Sequence, residues 1–390
     1  MRSRSRMIKV VHWIAVFVFF LICMYSLSIA EESHILYALD STDGPYLFFQ
    51  DSQINAYSID TQNQIIRKNA FNTDSFRVVI PNESQNEFWF TLQENHTTSP
   101  SIYPAAEKIF AISDIEGNFE TFVSLLHSNG IIDRNFIWKF GNGHLVVVGD
   151  LVDRGEYVTE CLWLVYKLEK EAEIAGGHVH FLLGNHEIMN LKGRIDYAQD
   201  KYVAAAQIIS GIEDPEQAFR YLFSTNSILG NWLRTKNTIE RIGKVLFVHA
   251  GLSPQLLDAK LSLEQINDSM RLYLGMQNNE IESDTGKLLV GRFGPVWFRG
   301  LAKDYKDYYT KTEESKLDEI LSYFDAKTVV IGHTIVDSIV SYDYNGKVIR
   351  IDIHQPKVRS AGKAEALLIE GKTFYRVNDL GERVLLYSAE

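Results

Sequence analysis

Cysteine is almost absent from this sequence. The 390 residues contain only Cys23 and Cys161. Cys23 lies in an N-terminal segment that we expect to be removed, and its removal leaves Cys161 without a partner for an intrachain disulfide. Stability must then come from a hydrophobic core, which a chain of this length can supply. Cys161 stands in an apolar run and is predicted to be a small buried residue.

Positive charge is also scarce. The chain has 39 Lys and Arg residues against 50 Asp and Glu residues, for a formal net charge of -11. Nucleic-acid-binding proteins carry a basic footprint, so we expect no nucleic-acid partner. Low-complexity segments are missing as well. With 46% hydrophobic and 23% charged residues, the composition is typical of a globular protein.

The amino terminus differs from the rest of the chain. Four basic residues come first, namely Arg2, Arg4, Arg6 and Lys9. An uncharged run over 10–30 follows and ends in Ser28-Ile29-Ala30, an order typical of a secretory signal peptide. The run is also long enough to span a bilayer, for which ~20 apolar residues suffice. We expect cleavage and a periplasmic or extracellular location. The alternative is an uncleaved anchor, and only then do we expect contact with a membrane.

Residues 31–105 are predicted to form a β-rich extension. Short apolar or alternating runs are separated by Asp-Gly, Asn and Ser clusters, as in hairpins. The runs cover 46–49, 54–59, 65–66, 76–80 and 88–92. The extension is either a module of its own or a sheet edge of the main domain, and 99–104 is predicted to be a linker.

Residues 106–390 are predicted to form one α/β catalytic domain. An apolar strand, a polar loop and an amphipathic helix recur in that order, which favours a mostly parallel sheet. Predicted strands cover 110–112, 145–148 and 178–183, and predicted helices run over 119–126 and 157–175. Residues 188–242 are predicted to be an inserted helical cap, and the segment 339–387 alternates in the manner of antiparallel strands.

Potential metal ligands follow five of the apolar strands. They are Asp114 and Glu116, Asp150 and Asp153, Asn185 and His186, His249, and His333. Each is weak evidence alone, because an Asp-Gly loop often caps a helix and an Asn often forms a turn. Their shared placement carries more weight, since the carboxyl ends of parallel strands meet in one crevice. Oxygen ligands together with imidazoles suit Mn, Fe or Zn better than Ca.

These motifs, taken in order, resemble those of the calcineurin-like metallophosphoesterase superfamily. They are Ser113–Gly117, Gly149–Gly155, Gly184–Glu187, His249–Pro254 and Gly332-His333. Within the superfamily the chain resembles phosphoprotein phosphatases. The run Gly294–Gly300 and the helical cap are similar to those of Shewanella-like phosphatases. The resemblance covers about residues 106–375 and implies a four-layer αββα sandwich.

The resemblance also implies an activity. The enzyme would be a metal-dependent phosphatase that cleaves phosphomonoesters of Ser, Thr or Tyr in proteins, or of small molecules. A hydroxide bridging two divalent ions would attack phosphorus in line. Asp150 would bridge the two ions and Asp114 would bind the first. The second ion would be held by Asn185, His249 and His333.

The same resemblance implies roles for four further residues. His186, oriented by Asp153, would protonate the leaving oxygen. Arg154 and Arg299 would clamp the phosphoryl oxygens through bidentate contacts. The phosphorylated substrate is the expected partner.

Glu116 departs from the family pattern, which normally has His at this position. A carboxylate there can still reach a metal, and it would favour Mn or Mg over Zn, so that Mn is the expected ion. It could instead weaken the first site. Ser113 replaces a Gly of the motif, which changes only the freedom of the backbone.

Two other functions are compatible with parts of the sequence. A dinucleoside polyphosphate or nucleotide hydrolase would share the metal motifs, but the sequence places no aromatic residue for stacking on adenine. A non-catalytic binding protein is supported only by Glu116, while His186 and Arg154 argue against it. His354 and Arg194 are the remaining candidates, and a surface or structural role is expected for both.

Overall fold

Two six-stranded sheets form the centre of the computed structural model. The structure describes residues 42–50, 53–60, 62, 64–71, 73–81, 86–93, 96–356 and 362–389. The predicted leader over 1–30 lies outside this part of the chain. Within the described part, no helix combines the length and apolar character needed to cross a membrane.

Seventeen strands occur in the described residues. The first six are β1 (Asp43–Gln50), β2 (Gln53–Ile59), β3 (Ile65–Ala70), β4 (Ser75–Val79), β5 (Glu87–Thr91) and β6 (Ile102–Tyr103). The next six are β7 (Lys108–Ile112), β8 (His144–Val148), β9 (His178–Leu182), β10 (Ile239–Ile242), β11 (Val245–Val248) and β12 (Thr328–Ile331). The last five are β13 (Ser341–Asp343), β14 (Val348–Arg350), β15 (Glu365–Glu370), β16 (Thr373–Asn378) and β17 (Arg383–Ser388).

The α-helices of the described residues lie between these strands. They are α1 (Phe119–Ser128), α2 (Val158–Ile174), α3 (Asn185–Leu191), α4 (Asp200–Ser210), α5 (Pro215–Leu222), α6 (Ile228–Leu233), α7 (Pro254–Asp258), α8 (Leu263–Tyr273), α9 (Asp284–Val290) and α10 (Glu314–Tyr323). Short 3-10 turns cover Asn278–Glu280 and Tyr344–Gly346.

Both large sheets are mixed. One has the order β17-β16-β15-β7-β8-β9, and the other β13-β14-β12-β11-β10-β6. Parallel pairing joins β7, β8 and β9 in the first sheet, and β11, β12 and β14 in the second. The expected mostly parallel sheet is therefore found among these strands and in the pair β6–β10, while the other strands pair antiparallel. The C-terminal strands pair antiparallel because tight turns, such as the one at Gly371, connect them.

The core lies between the two sheets. Val146 and Val148 from one sheet belong to the same buried cluster as Phe247 and Ile349 from the other. On the outside, α2 packs on β9 and α8 packs on β10. Helices therefore cover a pair of stacked sheets, and the predicted α/β class with a four-layer αββα sandwich is confirmed.

The N-terminal extension packs directly on the main domain. β1, β2 and β3 form one small sheet, and β4 pairs with β5. Phe90 of β5 stacks on Trp163 of α2 with 4.3 Å between ring centroids, and the Trp163 indole donates to the carbonyl of Pro45 at 2.8 Å. β6 pairs in parallel with β10. The linker predicted over 99–104 is therefore wrong, because these residues include a strand of the second large sheet.

The predicted helical insert contains α4, α5 and α6, with α3 at its start. Its last residues are not helical, since Ile239–Ile242 is strand β10. The helical insert that was predicted to end at 242 therefore includes a strand of the second large sheet. The two charged residues inside this short strand obscured its apolar pattern; one of them, Glu240, is buried and paired with His180.

Candidate active site

A cavity of about 1,000 Å³ lies at the carboxyl ends of the parallel strands. It is lined by eight of the predicted site residues, namely Asp114, Glu116, Asp150, Arg154, Asn185, His186, Arg299 and His333. The other two, Asp153 and His249, lie behind this lining and contact it. His249 is fully buried beside Asp150, and Asp153 is buried beside His186. The structure therefore places all the predicted site residues around one cavity.

The loops that carry these residues have an unusual backbone. Asp114, Asp150 and His333 have φ angles of 52°, 53° and 63°, in the left-handed region that L-residues rarely occupy. Gly149, with φ of 82°, has no room for a side chain. A Cβ atom there would lie 2.6 Å from the amide nitrogen of Gly184 and 2.7 Å from His249 Nδ1. Such strain is typical of functional sites, where the surrounding structure enforces it.

One buried carboxylate ties two of the loops together. Glu187 accepts backbone hydrogen bonds from Asp150 at 2.9 Å, Leu151 at 2.8 Å and Gly184 at 2.7 Å. Burial, with the charge of Asp150, raises the pKa of Glu187 to about 7. The sequence predicted no role for this residue. Its only signal was its place in the Gly184–Glu187 motif, because its partners on the other loop are distant in sequence.

Asp150, His249 and His333 form a buried group of ligand atoms. One ligand atom from each lies within 4.8 Å of the others. The nearest carboxylate oxygen of Asp150 is 3.1 Å from His249 Nε2, and Asn185 Oδ1 is 3.0 Å from the same nitrogen. His333 Nε2 is buried and has no hydrogen-bond partner. An uncommitted imidazole nitrogen beside a carboxylate and an amide oxygen fits a divalent cation.

The charges of this group depend on one another. Burial and the nearby His249 hold the pKa of His333 well below its usual range, so its ring is neutral and has a free lone pair. Burial alone would lower the pKa of His249, but Asp150 raises it to about 10. The His249 ring stabilises the Asp150 charge in turn and lowers the pKa of Asp150, although burial opposes this. The buried carboxylate thus requires a positive partner.

Asp114 and Glu116 lie on the other side of Asp150. Asp114 accepts a hydrogen bond from the backbone N–H of His333 at 3.0 Å and another from the hydroxyl of Ser113. Glu116 has a ligand atom within 4.8 Å of those of Asp150 and His186, which makes a second group. Its carboxylate also forms an ion pair with Arg154. The charge of Glu116 is therefore already balanced.

His186 is positioned by Asp153. Its Nδ1 lies 2.6 Å from an Asp153 oxygen, and the other oxygen of Asp153 accepts from the Asn190 side chain at 2.8 Å. The Nε2 atom of His186 is 3.8 Å from Asp150. Burial tends to lower the pKa of His186, but the bond to Asp153 and the charge of Asp150 raise it overall. An imidazole held this way can donate a proton from Nε2.

Two guanidinium groups border the cavity. Arg154 lies over the ring of Tyr197, with its central carbon 5.1 Å from the ring centroid, and its side chain is 46% exposed. Arg299 donates to the carbonyl of His333 at 2.5 Å and to the hydroxyl of Thr334 at 3.1 Å. These contacts fix Arg299 beside His333 and leave it on the cavity wall.

Three other residues line the same cavity. Asp352 is buried, and burial together with the charge of Asp114 raises its pKa to about 9. The sequence signal for Asp352 was its position after the apolar residues of β14, the same signal that marked the predicted ligands. His354 is exposed, and Arg194 pairs with Asp196 at 2.9 Å. Both residues line this cavity, and the surface or structural role expected for them stays a prediction.

The sequence profile of calcineurin-like phosphoesterases matches residues 107–337, more than half of the chain. The chain belongs to this family. Calcineurin-like phosphoesterases are metal-dependent hydrolases, and the resemblance predicted from the five motifs is confirmed. The matched range includes every predicted site residue and ends before Asp352.

Two similar sequences and one similar crystal structure show which phosphatases the chain resembles. It is 28% identical to Shewanella-like protein phosphatase 2 of Arabidopsis thaliana over 314 residues, which cover 70% of this chain and 77% of the relative. It is 31% identical to Shewanella-like protein phosphatase 1 of Plasmodium berghei, over 58% of this chain and 61% of the relative. The crystal structure of a cold-active protein-tyrosine phosphatase from Shewanella sp. superimposes with a TM-score of 0.78 at 32% identity. That match covers 89% of this chain and 100% of the crystal structure.

Proposed function

We propose that this family member is a metal-dependent phosphomonoesterase that acts on phosphorylated proteins, with phosphotyrosine as the leading substrate. The observation that carries the proposal is the buried Asp150–His249–His333 group, which lies beside the His186–Asp153 pair in a cavity bordered by two arginines. The Shewanella protein-tyrosine phosphatase, which matches over its whole length, supports the choice of substrate.

The candidate ligands divide around Asp150. Asn185, His249 and His333 would hold one divalent cation with Asp150, while Asp114 and Asp150 would hold a second, with Glu116 at its edge. Oxygen ligands together with imidazoles suit Mn, Fe or Zn, and manganese is favoured among them because the carboxylate of Glu116 would favour it over Zn. When bound, the two cations would activate water for in-line attack on phosphorus and offset the negative charge of the phosphoryl group.

The remaining residues supply the other requirements of ester hydrolysis. Asp153 accepts a hydrogen bond from Nδ1–H of His186. The opposite nitrogen of the ring, Nε2, would then direct its proton towards the leaving oxygen. Arg154 and Arg299 offer planar guanidinium groups that match phosphoryl oxygens in a bidentate manner. Asn190 keeps Asp153 in place through its second carboxylate oxygen.

Metal analysis coupled to a substrate panel tests this proposal. The full chain is assayed with manganese on phosphotyrosine and phosphoserine peptides, p-nitrophenyl phosphate, sugar phosphates and diadenosine tetraphosphate. We expect phosphotyrosine hydrolysis and bound metal in the wild type. Loss of activity by at least ~100-fold is expected in Asp150→Asn, with unchanged circular dichroism. Asp258→Asn, at an exposed position, is the matched control. Full activity of Asp150→Asn would exclude the assignment of the bridging ligand.

We also propose that the enzyme is exported. The support is the predicted leader over 1–30, whose basic start, uncharged run and small-residue end precede the extension. Fractionation of cells followed by N-terminal sequencing of the protein tests this. A mature chain that begins after Ala30 is the expected result. Recovery of the intact amino terminus in the membrane fraction would support the anchor instead.

A further inference from the structure

A second cavity of about 710 Å³ adjoins the catalytic cavity. The two cavities share Met189, Arg194, Trp297 and Arg299 on their walls. The second cavity continues from there along the end of α9 to the tyrosines at 305, 308 and 309. We call it the basic groove. Because the cavities share these residues, a chain whose phosphorylated residue enters the catalytic cavity has the groove directly beside it.

The basic groove is positively charged in an otherwise acidic protein. Four cationic side chains line it, namely Lys192, Arg194, Arg292 and Arg299. In the described part of the chain, no Asp or Glu belongs to this lining. The net charge of the whole chain is -11, so this clustering is opposite in sign to the average surface. Charges of one sign along a cleft attract ligands of the other sign.

Two of these cations form no ion pair with a carboxylate among the described residues, although the charge of Glu280 acts on Lys192. Lys192 is only 8% exposed, and its ammonium group donates to the side-chain oxygen of Asn278 at 2.6 Å. Buried cations in proteins are usually paired with an anion. Arg292 is exposed and forms no ion pair with any described side chain; its guanidinium lies 4.6 Å from the ring centroid of Tyr308. Arg292 is therefore available to an incoming anion, and Lys192 adds positive charge to the wall of the groove.

The aromatic residues of the groove favour a peptide over a nucleotide. An adenine base needs an open aromatic face on which to stack. Here Arg292 lies over Tyr308, and Arg299 lies over Tyr305 at 5.3 Å from the ring centroid. One face of each of these two rings is thus occupied by a guanidinium group, and the cations together with the amides of Gln277 and Asn278 offer polar contacts to a ligand.

From this geometry we infer that the basic groove binds acidic residues that flank the phosphorylated residue of a peptide substrate. The preferred substrate would thus carry Asp or Glu on the side of the phosphoresidue that faces Arg292. The inference rests on the proposed phosphatase activity and adds a substrate class to it. Carboxylates would pair with Arg292 and Lys192, while the phosphoryl group is held by Arg154 and Arg299.

A set of matched peptides tests the inference. Three phosphotyrosine peptides are used: one has several glutamates before the phosphotyrosine, one has them after it, and one has none. They are compared with p-nitrophenyl phosphate, which is too small to reach Arg292. We expect kcat/KM to be about fivefold higher for one of the acidic peptides than for the neutral peptide at low salt. The preference should fall at high salt, because the charges involved are partly exposed.

Arg292→Gln is the decisive variant, with Arg134→Gln as the control, since Arg134 is exposed and lies outside both cavities. The ratio of acidic-peptide to p-nitrophenyl phosphate hydrolysis should fall about fivefold in Arg292→Gln only. Equal rates on acidic and neutral peptides in the wild type would overturn the inference. The inference would also be overturned if Arg292→Gln lost activity on diadenosine tetraphosphate alone, because that result would indicate a nucleotide site.

The two proposals can fail separately. If p-nitrophenyl phosphate and all peptides resist hydrolysis, the proposed function fails, and binding of the same peptides is measured by fluorescence anisotropy. Tighter binding of an acidic peptide that is lost in Arg292→Gln would still support the basic groove. Equal affinities for acidic and neutral peptides would exclude it.

Discussion

Glu116 forms an ion pair with Arg154 at the catalytic cavity. The residue that replaces the usual His of the family is therefore bound to an arginine expected to hold phosphate. Both side chains are partly exposed, so the pair can exchange with a phosphoryl group at small cost. We therefore expect Glu116 to compete with the substrate for Arg154.

Glu116→Gln tests this competition. The neutral amide should release Arg154, and inorganic phosphate should then inhibit the enzyme with a Ki lower by about two- to fivefold. The measurement is Ki for phosphate together with the metal content of the protein. Glu120→Gln is the control, because Glu120 lines the same cavity. Loss of bound metal in Glu116→Gln, with Ki unchanged, would make Glu116 a ligand rather than a competitor.

Asp153→Asn should shift the pH dependence of catalysis. Asp153 helps to raise the pKa of His186, so that the ring keeps its proton to higher pH. An asparagine lowers that pKa, and the alkaline fall of kcat/KM should move to lower pH. The profile is recorded with a substrate that has a poor leaving group, because such a substrate depends most on the acid. An unchanged alkaline limb would mean that His186 is not the proton donor.

The N-terminal extension should contribute strongly to stability. Phe90 is buried against Trp163, whereas its neighbour Trp89, on the opposite face of β5, is 53% exposed. Phe90→Ala should therefore lower the free energy of unfolding by about 3–5 kcal/mol. Trp89→Ala should change it by no more than ~0.5 kcal/mol. Denaturant titration measures both values, and similar losses in the two variants would contradict the packing described for Phe90.

Two partly buried histidines should make the fold sensitive to acid. Burial, with the neighbouring His180, lowers the pKa of His144 and of His178 to about 4 from the usual 6.5. The unfolded chain therefore binds more protons between these values. The stabilising contribution of each histidine is complete above pH 6.5 and declines as the pH falls towards 4.

Denaturant titrations at pH 7.5 and pH 5 check this expectation. After allowance for partial exposure, each histidine should account for about 1 kcal/mol of the loss in unfolding free energy between these pH values. His178→Gln should remove its share of the loss, while His354→Gln, at an exposed position, should not. A pH dependence equal in wild type and His178→Gln would exclude this residue as a cause.

The sequence predicted those parts of the molecule that depend on local pattern. Apolar runs followed by polar loops marked β7, β8, β9, β11 and β12, and the positions after these strands identified the site residues. Partners that are distant in sequence could be predicted only where the family resemblance supplied them, as for Asp153 and His186. The ion pair of Glu116 with Arg154 and the hydrogen bonds of Glu187 to Asp150 depend on how two loops approach each other. β6, with two residues, is too short to have a periodic pattern.

The pairing of β6 with β10 has a practical consequence. A protein trimmed to begin at residue 107, where the match to the family starts, would lose β6 and leave β10 at one border of the second large sheet without its neighbour. Open sheet borders of this kind join to other copies and promote aggregation. Recombinant production should therefore begin upstream of Asp43, so that every strand of the extension is retained.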